Sequence, residues 1–127
     1  MDARLQRRVQ RYGWDLAAAD YQALRAMGSA ALARAARGAM DTASVSVLKL
    51  FGSEAELRAM ENALTAAGAD GLTHPSTTGP YAHMNLDHYF ASWFERYARS
   101  FSGTIAGGTS EIQRNIIATQ VLGLPRR

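Results

Sequence analysis

Two adjacent glycines near the end of the chain, Gly107 and Gly108, are followed by Thr109 and Ser110 and then by apolar residues at helical spacing. Glycine has no Cβ atom, so the backbone here can bend sharply and can approach another molecule closely. Either hydroxyl residue can cap the helix, and the amides and positive dipole end of a helix attract electron-rich groups. The pattern predicts a loop that holds an electron-rich ligand. An ordinary capped helix would have the same sequence, so both interpretations stay open.

The helix that follows this loop has signals at both ends. Ser110 with Gln113 fits a capping box, and Glu111 places a negative charge in the first turn, where the helix dipole favours it. Gly123 stands where a C-terminal cap belongs, so we predict a helix over 109–122. Its apolar stripe consists of Ile112, Ile116 and Ile117.

A long, ordered stretch of this region resembles a known family. Residues Thr104 to Arg114, with the ending Leu122-Gly123-Leu124-Pro125-Arg126, are similar to the C-terminal signature of the acyl-CoA dehydrogenases, FAD-dependent flavoproteins of fatty acid metabolism. In that family a glutamate removes the α-proton of an acyl-CoA thioester while the β-hydrogen leaves as hydride to the flavin. Hydrogen bonds to the thioester carbonyl stabilise the developing enolate. The resemblance implies an oxidoreductase acting on CH–CH groups.

The resemblance also implies roles for individual residues of the loop. Gly108, Thr109, Ser110 and Glu111 would bind the cofactor, FAD, and Gly107 and Gly108 would bind the acyl-CoA substrate. The donor at Gly107 would be its backbone amide, which is present whatever the side chain. Glu111 serves as a cap rather than as a substitute base, because it points away from position 107.

No catalytic residue is assigned in this chain. One common family position for the glutamate is the residue just before Gly-Thr, and here that residue is Gly107, which cannot take a proton. Other members place the base on an earlier helix, which by spacing would fall before Met1. We therefore expect the isolated chain to be inactive.

The resemblance sets the expected context of the chain. A whole family member also has an N-terminal helical domain and a β middle domain, so we expect a fragment, a truncated gene product or a small subunit. It would contribute flavin and acyl-CoA contacts to a homo- or hetero-oligomer with other acyl-CoA dehydrogenase subunits or domains. The alternative is a non-catalytic helical interaction or oligomerisation module that has lost ligand binding.

The rest of the chain must position this loop, and its apolar spacing predicts further helices over about 3–37, 43–67 and 87–101. With a loop at 72–86, this gives an all-α fold, an antiparallel four-helix bundle in a single domain over 1–127. Gly13 and Gly28 each weaken the first helix, so a kink or a closely packed neighbour is expected at either. Trp14 and Tyr21 are interpreted as core or interface anchors.

The second helix carries two features that bear on the site. Lys49, the only lysine of the chain, is interpreted as a solvated charge. The small-residue ending at 63–71 resembles a family segment that reaches the flavin of a neighbouring subunit. Thr65 stands where many members have glutamine, so a plain glycine stop at Gly68 is the alternative.

The third predicted helix begins at Asp87 as its cap, and its aromatic residues are predicted to form a packed core. Glu95, Arg96 and Arg99 are predicted to form the solvated face. The aromatic residues are Phe90, Trp93, Phe94, Tyr97 and Phe101.

Composition excludes several classes of function. With no cysteine there is no disulfide framework, and a cytoplasmic setting is compatible. The three histidines, His74, His83 and His88, lack the spacing of a metal site, so none is predicted. No apolar run is long enough for a membrane span, and a soluble chain is expected. The net charge of +3 comes from arginines spaced along a helix face, which is typical of a solvated surface rather than of nucleic-acid binding.

Overall fold

The computed structural model describes residues 3–39, 41–72 and 92–125, and every regular element among them is helical. The all-α class is confirmed. These residues contain four α-helices: α1 (Ala3–Ala36), α2 (Thr42–Ala67), α3 (Trp93–Ile105) and α4 (Ser110–Ile116). A 3-10 turn at Gly68–Leu72 follows α2, and a π-helical turn at Ile117–Val121 follows α4.

The central element is α2, which packs against α1, α3 and α4. The predicted four-helix bundle is not confirmed, because α4 has only seven residues before the π-helical turn, and α1 packs mainly on α2. Three long helices with a short fourth describe the arrangement better. The single domain over 1–127 stays a prediction.

The first two helices form the expected hairpin. The contact pairs Gly13 with Asn62, Asp20 with Arg58 and Leu24 with Gly52 run in opposite order along the two helices, so α1 and α2 are antiparallel. Gly38 ends α1 with a φ of 72°, as its sequence position indicates. The Asp41 carboxylate caps α2 by accepting from the backbone N–H of Ser44.

The start of α3 differs from the sequence prediction. Ser92 is its N-cap: Ser92 Oγ accepts from the Glu95 N–H, and the Glu95 carboxylate accepts from the Ser92 N–H. This capping box fixes the first turn, whereas the predicted cap Asp87 lies outside the described residues. Glu95 was predicted to be solvated but is buried, because its carboxylate serves this cap. The helix continues to Ile105 instead of ending near 101.

Small side chains, rather than aromatic ones, fill the described core. Ala55 and Ala63 are buried in α2, whereas Trp93, Phe94 and Phe101 of α3 are between 38% and 42% exposed. The predicted aromatic core is therefore wrong for these three residues. Phe101 instead packs edge-on against Tyr97, with ring centroids 5.1 Å apart. Much of the apolar surface of the described helices consequently faces outward.

The predicted loop at 72–86 lies outside the described residues beyond Leu72, and so do all three histidines. No helix among the described residues is long and apolar enough to cross a membrane. Within the same residues, no cluster of His, Asp and Glu side chains has the arrangement of a metal site.

Candidate functional site

The loop between α3 and α4 has a backbone that only glycine adopts readily. Gly107 has a φ of 68° and Gly108 a φ of 99°, both in the left-handed region that disfavours side chains with a Cβ. Gly107 is exposed, and a Cβ atom there would meet no other atom within 4 Å. The outer side of the loop is therefore open to another molecule.

Thr109 caps α4, as one of the two sequence alternatives stated. Its Oγ1 accepts from the backbone N–H of Ile112 at 3.4 Å. The predicted capping box between Ser110 and Gln113 is wrong, because the cap is Thr109 and the Gln113 side chain turns back to the loop. The helix changes to a π-helical turn after Ile116, earlier than the predicted end near 122.

The Gln113 side chain binds the backbone of the loop from its buried side. Gln113 is only 5% exposed, and its Nε2 donates to the carbonyl of Gly107 at 2.7 Å. Its Oε1 is buried without a hydrogen-bond partner among the described residues. A Cβ atom at Gly108 would lie 2.9 Å from Nε2, so any other residue at position 108 would displace this amide. Gln113 and Gly108 thus fit each other closely.

The Lys49 side chain of α2 holds the next carbonyl. Its Nζ donates to the Gly108 oxygen at 2.6 Å in a half-buried position. The interpretation of Lys49 as a solvated charge is wrong, because the ammonium group has this main-chain acceptor. The two residues are 59 positions apart, so no local pattern could show the contact. The one hint in the sequence is that Lys49 is the only lysine.

Glu111 lies on the exposed side of the first turn of α4. Its own backbone N–H and the Thr109 hydroxyl hold the pKa of its carboxyl below the ordinary value, and Arg114 contributes at 3.7 Å. A carboxylate with a lowered pKa is a weaker base. This supports its interpretation as a cap. Arg114 in turn forms an ion pair with Glu54 and so ties α4 to α2.

The sequence-predicted site residues are consecutive along the loop and the start of α4. Gly107 and Glu111 are exposed, whereas Gly108, Thr109 and Ser110 are half-buried. Their assignments to FAD and to the thioester stay predictions. Lys49 and Gln113 are the two additional residues that the structure brings to them.

An apolar groove beside α4 was not predicted from the sequence. It has a volume of about 760 Å³ and runs along the π-helical turn. It is lined by Ile112, Asn115, Ile116, Ala118, Thr119, Leu124 and Pro125. Such turns are often found at functional sites.

Comparison with known proteins gives a consistent match. Residues 8–122 match the family model described as acyl-CoA dehydrogenase, C-terminal domain. Acyl-CoA dehydrogenase IpdE1 of Mycobacterium tuberculosis is 38% identical over 104 residues, which cover 81% of this chain and 24% of that protein. Acyl-CoA dehydrogenase IpdE1 of Mycolicibacterium smegmatis is 60% identical over 37 residues, or 29% of this chain and 9% of the relative. The chain thus spans a quarter or less of these curated relatives. No solved structure matches it significantly.

Proposed function

Because the chain belongs to the acyl-CoA dehydrogenase family, we propose that it supplies FAD and acyl-CoA contacts for the α,β-dehydrogenation of an acyl-CoA thioester. It does so as the C-terminal domain or a small subunit of a larger assembly and is not active alone. A cytoplasmic location, compatible with the lack of cysteine, stays a prediction.

The observation that carries this proposal is the geometry of the glycine loop. Gly107 leaves the outer side of the loop without a side chain, and Lys49 and Gln113 hold the carbonyls of Gly108 and Gly107 on the inner side. A flat ring system or a thioester oxygen can therefore reach the main chain. Preorganised backbone donors of this kind stabilise negative charge as it develops on an oxygen atom.

The residues present suit FAD by their chemistry. Gly108 permits close approach, Thr109 and Ser110 offer hydroxyl groups at half-buried positions, and Glu111 adds a carboxylate at the exposed edge. We assign these four residues to the cofactor and Gly107 with Gly108 to the substrate. Bound FAD would supply the hydride acceptor of the reaction.

The catalytic base must come from elsewhere in the assembly. Position 107 has no side chain, and the lowered pKa of the exposed Glu111 makes that carboxylate a poor proton acceptor. The chain thus orients the ligand and provides main-chain donors, and it does not move the proton itself.

One observation favours the alternative of a helical interaction module without a ligand. Trp14, Tyr21 and three aromatic residues of α3 are between 38% and 59% exposed, as expected for a surface whose task is association. The same surface fits a subunit of an oligomeric dehydrogenase, so flavin binding decides between the two.

We propose to test this with a chimaera. In it, this chain replaces the segment that it matches in acyl-CoA dehydrogenase IpdE1 of Mycobacterium tuberculosis. We expect the purified chimaera to show a flavin absorption spectrum, with the intact relative as control. A folded chimaera without flavin would favour the interaction module.

The isolated chain provides the second half of the test. We expect it to show no acyl-CoA oxidation with an artificial electron acceptor, because it lacks a base at position 107. Turnover that rises with protein purity would contradict the assignment of the base to another part of the assembly.

A further inference from the structure

Two successive carbonyls of the loop are held by side chains from two different helices. Gln113 Nε2 of α4 donates to the Gly107 oxygen at 2.7 Å, and Lys49 Nζ of α2 donates to the Gly108 oxygen at 2.6 Å. Both donors are shielded from bulk water, Gln113 almost completely and Lys49 in part. The hydrogen bond from the ammonium group is charge-assisted and hence among the stronger kinds. The direction of both peptide groups is therefore fixed.

Fixing the carbonyls also fixes the amides. No peptide bond among the described residues is cis. In a planar trans peptide the N–H points in the direction opposite to the C=O. With the Gly107 oxygen directed at Gln113, the N–H of Gly108 points away from it. By the same argument, the N–H of Thr109 points away from Lys49. Two consecutive backbone donors thus point away from the side chains that hold the carbonyls.

We propose that Lys49 and Gln113 are positioning residues that hold the Gly107–Gly108 and Gly108–Thr109 peptides with the amides of Gly108 and Thr109 ready for an electron-rich ligand group. This inference rests on the proposed function, in which that group belongs to FAD or the acyl-CoA thioester. Neither side chain touches the ligand. They act through the main chain and keep it from rotating.

The unpaired oxygen of Gln113 supports a role beyond stability. Its Oε1 is buried without a partner among the described residues, which costs free energy that the hydrogen bond of Nε2 to the Gly107 carbonyl has to offset. Exchanging the oxygen and nitrogen would place Oε1 against the Gly107 carbonyl, where two acceptors would repel each other. The side chain is therefore kept in an unfavourable state by the contact that it makes with the loop.

The test compares matched variants. Lys49→Met and Gln113→Met keep the side-chain length and remove the donor, and Lys49→Arg keeps a cationic donor. The control is Arg58→Met, which removes a hydrogen bond of Arg58 Nη2 to Asp20 Oδ2, 2.9 Å long, on the other side of α2.

The first measurement uses the full chain without ligand. We expect Lys49→Met and Gln113→Met to shift the ¹⁵N–¹H resonances of Gly108 and Thr109, and Arg58→Met to leave them unchanged. Amide signals that are identical to those of the unsubstituted chain in both variants would overturn the inference, whatever the ligand experiments show.

The second measurement uses the same variants in the chimaera with FAD and butyryl-CoA as probes. We expect affinity to fall about tenfold or more in the two methionine variants, because small misplacements of a preorganised site are costly. Lys49→Arg should recover part of the loss, and Arg58→Met should lose no affinity. Methionine variants that bind like the unsubstituted chimaera would overturn the inference alone. An unsubstituted chimaera that binds neither probe would refute the proposed function and the inference with it.

Discussion

Asn62 of α2 donates through Nδ2 to the backbone carbonyl of Gly13 in the middle of α1, at a distance of 3.4 Å. Three atoms of the Asn62 side chain lie 3.1 to 3.2 Å from the point that a Cβ atom of Gly13 would occupy. The glycine thus lets a polar side chain of the neighbouring helix reach the main chain. This is the close packing that was expected at Gly13 or Gly28, and it occurs at Gly13.

The two glycines should therefore respond differently to alanine. At Gly28 a Cβ atom would meet nothing within 4 Å, so Gly28→Ala should raise the free energy of unfolding by about 1 kcal/mol through helix propensity. At Gly13 the methyl group would press on Asn62, so Gly13→Ala should gain less than Gly28→Ala or should lose stability. Urea unfolding monitored by circular dichroism measures both. An equal gain at the two positions would contradict the packing of Asn62 on Gly13.

Local signals in the sequence were enough for much of this architecture. The glycine that ends α1 and the caps of α2 and α4 each depend on a few neighbouring residues. The sequence allows Asp41, Thr42 or Ser44 to cap α2 and Thr109 or Ser110 to cap α4, and the structure has Asp41 and Thr109. The cap of α3 was missed although its signal is local, because Ser92 and Glu95 have the spacing of a capping box. The earlier aspartate at position 87 was chosen in its place.

The contacts that shape the candidate site could not be predicted in this way. The contact of Lys49 with Gly108 depends on how α2 packs against the loop, which no periodicity specifies. Gln113 was assigned to a capping box because its spacing from Ser110 fits, but the left-handed turn at Gly107 offers its amide a nearer acceptor. The aromatic residues of α3 were predicted to form a core because they recur at helical spacing on one face. Such spacing does not tell whether the surface that packs against these residues belongs to the same chain.

Acid should weaken the cap of α2. The Ser44 hydroxyl, followed by the Ser44 backbone amide, lowers the pKa of the Asp41 carboxyl, whose folded value therefore lies below its unfolded value. The stabilisation is present above the ordinary pKa of aspartate and is lost as the pH falls through the lower folded value. Asp41→Asn keeps a good N-cap that does not titrate. As the pH falls through this acidic window, the melting temperature of the Asp41→Asn variant should consequently fall less than that of the unsubstituted chain. Identical dependence of the two melting temperatures on pH would contradict the prediction.

The exposed aromatic surface should drive association. Trp14 is 46% exposed and Tyr21 59% exposed, and the α3 aromatics add to this apolar area. Light scattering at micromolar concentration should give a mass above the 13.8 kDa of one chain. The double variant Trp14→Gln and Tyr21→Gln should lower that mass. A mass equal to that of one chain, unchanged on dilution, would rule out association through this surface.

The glycine loop allows folding and ligand binding to be separated, provided that the right glycine is substituted. Gly108→Val should lower stability whether or not a ligand binds, because a φ of 99° and a Cβ position 2.9 Å from Gln113 Nε2 both oppose it. Gly107 is the cleaner position, since the space outside it is open and its φ of 68° is one that asparagine tolerates.

We therefore expect Gly107→Asn to lower the free energy of unfolding by no more than about 1 kcal/mol while lowering the affinity of the chimaera for butyryl-CoA. The matched control is Gly38→Asn, which has a similar φ of 72°, equally open space and no place in the loop. Thr109→Ala tests the cap and should cost about 1 kcal/mol. Melting temperature and butyryl-CoA affinity are measured on the same samples. If Gly107→Asn binds butyryl-CoA as tightly as Gly38→Asn does, the open side of the loop is not where the substrate approaches, and Gly107 serves only the turn.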